Sequence, residues 1–160
     1  MTDIPISHTE DALKLTSDAQ VYLWEIRLRD GSKVFIRNGP KVTWQGDVYE
    51  NLPIILSGEE LTADDRTPRP SLKVFNPQKI FGPMAHQGKF ELATVIRREV
   101  LQQNLLADLN IHVPRVWIIG QILSCTSRSL DVQLRSPTDG PNMNVPYRYY
   151  GPPDFPTVTF

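Results

Sequence analysis

The side chains best suited to acid–base work are His8, His86 and His112 with scattered aspartates, and they share no spacing. They sit in unlike contexts, so no convergent set for hydrolysis can be read from them. No Walker loop, nucleophile elbow or metal-ligand spacing occurs. The one cysteine, Cys125, cannot close an internal disulfide, and it cannot alone hold an iron–sulfur cluster or a four-ligand zinc site. It reads as a small buried hydrophobe, and no cofactor is expected. Charge is concentrated at two places. The pairs Glu59-Glu60 and Asp64-Asp65 supply local negative potential, and Arg97-Arg98 are adjacent on a strand and must point to opposite faces. One of these arginines could meet a carboxylate in a neighbouring subunit; the alternative is a solvated pair. Exposed Trp44, Trp117 or the late tyrosines would serve a sugar- or peptidoglycan-binding module as stacking platforms. Trp44, Tyr49 and Phe75 read first as filling of a β core.

The elements that must position these groups are mostly strands. The stretch from Lys41 to Asn76 organises the chain. Val42-Thr43-Trp44 and Val48-Tyr49 flank Gln45-Gly46-Asp47, which reads as a hairpin with a short loop. Ile54-Ile55-Leu56 with Glu59-Glu60-Leu61 is then expected to pair with Leu72, Val74 and Phe75 across a connection carrying Asp64, Asp65, Pro68 and Pro70. Upstream, Val21 to Arg29 has period two. Tyr22, Trp24, Ile26 and Leu28 form a core face, and Glu25, Arg27 and Arg29, joined by Val21 and Leu23 at the start, form a mostly wet one. Asp30-Gly31 turns the chain into a partner strand, Lys33 to Arg37. Downstream, Pro77 to Lys89 reads as loop with a helical turn, and Leu92 to Leu101 as strand. Gln102 to Pro114 is an excursion from the sheet. Arg115 to Cys125 is the most apolar run and the expected central strand, with Gly120 marking a bulge or close approach. Ser129 to Arg135 alternates as its partner. Ser7 to Ala19 is the best helix candidate, with Ser7 and Glu10 as a capping box and His8 solvated in the first turn.

Composition agrees with a β domain. The chain has 160 residues, a net charge of -1 and 14 prolines, which argue against long helices. No global field draws it to nucleic acid or a membrane surface. The N-terminus lacks signal-peptide features and no run approaches a membrane span, so a soluble chain made in a cytoplasm is expected. About eight short strands indicate a mainly β fold, a barrel or sandwich with an N-terminal helix. The expected division is a helical segment over 1–20, a β domain over 21–136 and a Pro/Tyr-rich tail over 137–160. That tail, with Tyr147, Tyr149 and Tyr150, either hangs free or lies on a partner.

An ordered set of short matches carries a family resemblance: Val42-Thr43-Trp44-Gln45-Gly46 with Tyr49, then Pro53-Ile54, Ser57-Gly58 with Glu60-Leu61, and Arg69-Pro70, Leu72, Val74 and Asn76. Leu23-Trp24-Glu25-Ile26 precedes it; Thr94-Val95-Ile96-Arg97-Arg98 and Ser136-Pro137-Thr138 follow. The sequence resembles the minor tail protein L family of lambda-like bacteriophages over about Val21 to Tyr147. The resemblance implies a tail-tube-like β-barrel or sandwich and a structural virion protein of the distal tail. Such a protein would sit in a hub ring, commonly of three copies, that joins tube to tip and passes DNA during ejection. Its implied partners are further copies of itself and neighbouring distal-tail and hub or tip proteins, with no membrane insertion. On this view Glu59, Glu60, Asp64 and Asp65 could face the channel, while Arg97, Arg98, Tyr147, Tyr149 and Tyr150 could lie between subunits. Lambda-type members continue into a cysteine-containing region linked to an iron–sulfur cluster. With Cys125 alone, that region and its cofactor are expected to be absent here.

Overall fold

In a computed structural model of the chain, the described residues are 4–12, 14, 18–59, 69–75 and 79–138. A short helix α1 (Ile6–Ala12) leads into β1 (Gln20–Arg27), β2 (Lys33–Arg37), β3 (Val42–Trp44), β4 (Asp47–Asn51), β5 (Ile54–Ser57) and β6 (Ser71–Phe75). After these come α2 (Phe81–His86), β7 (Thr94–Leu101), α3 (Gln102–Leu106), β8 (Val113–Cys125) and β9 (Ser129–Arg135). The strands make one nine-stranded sheet in the order β3-β4-β2-β1-β7-β8-β9-β6-β5. Every neighbour pair is antiparallel except β2 with β4.

The mainly β expectation and the N-terminal helix hold, with one qualification of shape. The sheet ends at β3 and β5 and is not closed into a barrel. It nevertheless curls enough for Ile36 of β2 and Ile54 of β5 to share one core. Asn38, just past β2, spans the seam: its Nδ2 donates to the Ile54 carbonyl at 2.7 Å and its Oδ1 accepts from the Ile54 amide at 2.9 Å. One side-chain amide thus stands in for a stretch of ladder between the two arms.

The paired strands follow the chain's own punctuation. Gln45 (φ 52°) and Gly46 (φ 82°) give the double left-handed turn that a two-residue hairpin requires, and Val42 pairs with Tyr49 across it. β5 and β6 pair with Ile54 opposite Val74 and Leu56 opposite Leu72, but β5 stops at Ser57, short of Glu59, and Phe75 is exposed instead of filling the core. The bulge expected at Gly120 is present, as a register shift between Ile119 and Gln121. β8 stands sixth in the order, although Val116 and Leu123 are exposed on it.

Several local expectations are corrected. The second face of β1 is wet only at its end: Leu23 and Glu25 are as buried as Trp24 and Ile26, Arg27 is exposed, and Tyr22, expected in the core, is exposed as well. Trp44, Tyr49, Val100 and Leu105 form a second cluster with Leu23, so alternation sorts β1 between two cores rather than between core and water. At the N-terminus the capping box does not form. Pro5 carbonyl takes the bonds from His8 and Thr9 amides, which places Ser7 inside the helix with a buried, unpartnered Oγ. His8 is likewise buried instead of solvated. Cys125 is exposed, because β8 runs past the core towards the Thr126-Ser127-Arg128 turn.

Candidate functional site

β7 lies between β1 and β8, and its alternation carries Arg97 and Arg98 to opposite faces, as the spacing requires. On the inner face Arg97 stands opposite Trp24 on β1 and Arg115 on β8. Its guanidinium carbon is 5.0 Å from the Tyr22 ring centroid, 5.7 Å from Trp24 and 5.4 Å from Trp117. Trp24 and Trp117 are themselves stacked, 6.3 Å apart. A planar cation among three ring systems gains on the order of 0.5–2 kcal/mol from a well-placed face. Its remaining need is a carboxylate, and Glu59 supplies one: Arg97 Nη1 donates to Oε2 and Nη2 to Oε1, both at 2.9 Å. Arg115 Nη1 also donates to Glu59 Oε1. Burial pushes the Glu59 carboxyl up, but hydrogen bonds and charge from Arg97 and Arg115 outweigh it and hold it below the usual range.

The opposite face is centred on Glu25, which is 1% exposed. Arg98 Nη2 and Arg27 Nε donate to its two oxygens, the latter at 2.6 Å, and Lys33 Nζ lies 3.8 Å away. Burial raises the Glu25 carboxyl, and again the two arginines outweigh it, leaving a net depression. Arg98 Nη1 donates to the Tyr49 hydroxyl at 3.3 Å. Burial pushes that phenol up to about 12, against the opposing charge of Arg98. The two adjacent arginines are therefore both engaged within their own chain, each by a different carboxylate. Locked guanidinium forks of this kind hold strands together and leave little free for a phosphate.

Beside the Arg97 cluster, where β1 and β2 face β5, a cleft of about 420 Å³ is lined by Tyr22, Trp24, Arg37, Asn38, Ile54 and Leu56. Of the groups singled out from sequence, Arg97 and Glu59 are brought together and Arg98 lies across the sheet from them. Glu60, Asp64, Asp65, Tyr147, Tyr149 and Tyr150 fall outside the described residues. Sequence reasoning missed Glu25, Arg115 and the ring cage. A glutamate centred between Leu23 and Arg27 in a two-sided strand was the available signal for the first.

The other chemistries find little support. Trp44 is buried and its indole donates to Leu109 carbonyl at 3.2 Å, so it presents no stacking platform. Trp117 is half-buried against Trp24 and Arg97. His86 is exposed on α2, whereas His112 stands edge-on to Trp44, 5.5 Å away. Among the described residues no group of three or more His, Cys, Asp or Glu side chains could hold a metal. An iron–sulfur cluster needs several thiolates, and the single exposed Cys125 does not fit one.

Comparison with known proteins points one way. The family described as phage minor tail protein L matches residues 25–151. The tail tip protein L of Escherichia phage lambda is 31% identical over 157 residues, covering 87% of this chain and 68% of the relative. A chain in the solved virion of a native gene transfer agent particle superposes with a TM-score of 0.66 at 12% identity. That match covers 92% of this chain but only 50% of the other, and it speaks to the fold.

Proposed function

This chain belongs to the phage minor tail protein L family, and from that premise we propose that it builds the distal hub ring of a long-tailed phage. It is a structural protein of the phage tail and a component of the virion, where it associates with other tail proteins. In the finer reading it joins tail tube to tip, assembles with further copies of itself, three being the favoured number, and lines the path of the ejected DNA. The tail beyond residue 136 contributes contacts to neighbours, and the chain is made in the host cytoplasm.

The observation that supports a conduit is the internal neutralisation of β7. Lys and Arg contacts to phosphates add salt-sensitive affinity, which a channel wall must avoid. Arg97, Arg98 and Arg115 are each tied to a carboxylate of the same chain. The near-neutral total, -1, is consistent with a wall that does not grip DNA.

The test is location. An epitope-tagged copy, bound by gold-labelled antibody in purified particles, should mark the distal end of the tail at the junction with the tip. Label on the capsid, or along the whole tube, would reject the reading.

A further inference from the structure

The seam that Asn38 spans is only partly closed, and what remains open is chemically specific. In an antiparallel ladder, amide and carbonyl of one residue point to the same side, and residues two apart share that side. Ile54 turns both groups to Asn38, so Leu56 turns both of its own the same way, into the cleft. Among the described residues nothing bonds them. Arg37 lines the same cleft, and no hydrogen bond or ion pair among the described residues reaches its guanidinium; its Nε is buried and unpartnered. Burial holds this guanidinium below the usual arginine value, the mark of a cation short of compensation. The other arginine of the cleft, Arg97, is already taken by Glu59. Gly39 keeps the space: a Cβ there would stand 3.1 Å from Arg37 Nη2.

We propose that this cleft receives an extended segment of a neighbouring tail protein, whose carboxylate pairs with Arg37 while its backbone bonds the free edge at Leu56. The chemistry matches on both counts. A half-buried guanidinium without a counter-charge favours a carboxylate over any neutral group. A bare strand edge favours an extended backbone. The identity of the partner rests on the tail-protein reading of the previous subsection, whereas the chemistry of the cleft does not.

The probes are two capped tripeptides, acetyl-Thr-Glu-Thr-amide and its glutamine counterpart, titrated into the full chain labelled with nitrogen-15. The Arg37 Nε–H and Leu56 amide resonances should shift saturably with the glutamate peptide, and about tenfold more weakly with the glutamine one. Arg37→Gln should abolish the response with an unchanged thermal midpoint, and Arg37→Lys should keep part of it. No shift at millimolar peptide, or equal shifts with both peptides, would overturn the proposal even if labelled chain sits at the tail tip. Shifts that appear on concentrating the protein alone, and vanish in Arg37→Gln, would make a second copy the occupant and overturn the assigned partner. Antibody label away from the tail would overturn the partner's identity while the peptide titration still judges the cleft.

Discussion

Arg97 and Glu59 meet fork to fork, two hydrogen bonds of 2.9 Å each, with the arginine side chain 10% exposed and the glutamate 30%. β7 and the end of β5 are far apart in the sheet order, so this pair ties together elements that share no ladder.

Removing the carboxylate alone should therefore hurt more than removing both partners. Glu59→Gln leaves a buried guanidinium among three rings, and should cost about 2 kcal/mol of stability. The double variant Glu59→Gln with Arg97→Met, which keeps apolar bulk against Tyr22, Trp24 and Trp117, should recover about half of that. Urea unfolding of the four proteins gives the cycle. A strictly additive result would show that the two residues are not coupled.

Acid should act on the chain in two windows. Glu25 and Glu59 titrate below their ordinary 4.5 in the folded state, despite burial, because of their arginine partners. The unfolded chain then binds protons first, so the stability they add is full above that value and drains as pH falls through the folded ones. His112 is depressed below 6.5, by burial first and then by the charges of Arg98 and His8. Its contribution is likewise full above 6.5 and begins to drain at that pH, well before the carboxylates. Thermal midpoints measured down a pH series should show a shallow early slope and a steeper late one. His112→Phe should remove the first, and Glu25→Gln should flatten the second while lowering stability at neutral pH.

Legibility from sequence followed range. The hairpins β1–β2 and β3–β4 rest on local turn chemistry and alternation, and the β5–β6 pairing on apolar alternation alone; each was readable. Asn38 bonding Ile54, and Glu59 reaching Arg97, join residues 16 and 38 positions apart through side chains alone, and no periodicity announces them. The second core was hidden for a related reason. Glu25, Arg27 and Arg29 alternating on one face suggest water, until Trp44, Tyr49 and Leu105 are known to pack against Leu23 there. The open seam was invisible because strand count does not reveal whether a sheet closes.

The β3–β4 turn offers a clean local check. Gly46 sits at φ 82°, where a Cβ would meet nothing within 4 Å but the backbone is strained. Gly46→Ala should cost about 1 kcal/mol through that strain alone. Gln45→Ala, by contrast, should loosen the Asp108 contacts, since its amide and side chain both bond to that residue. Amide exchange at Gln45 should rise in the second variant more than in the first. Equal exchange in both would mean the Asp108 contacts do not hold the turn.

The conduit reading yields the last prediction. Glu59 is committed to Arg97 and Arg115, so it is a poor choice for probing the channel: its loss would disturb the fold first. Glu60, Asp64 and Asp65 are the better set, three carboxylates within six positions of sequence. If at least part of this run faces passing DNA, replacing all three with lysine turns repulsion into attraction and adds salt-sensitive contacts to phosphate. Particles carrying the triple variant should assemble with normal tails, as judged by negative-stain images, yet release DNA more slowly after receptor triggering. The slowing should shrink as salt is raised, because screening weakens phosphate contacts but would not repair a misassembled tail. A release rate equal to that of the parent, at low salt and with normal tails, would place these carboxylates outside the conduit.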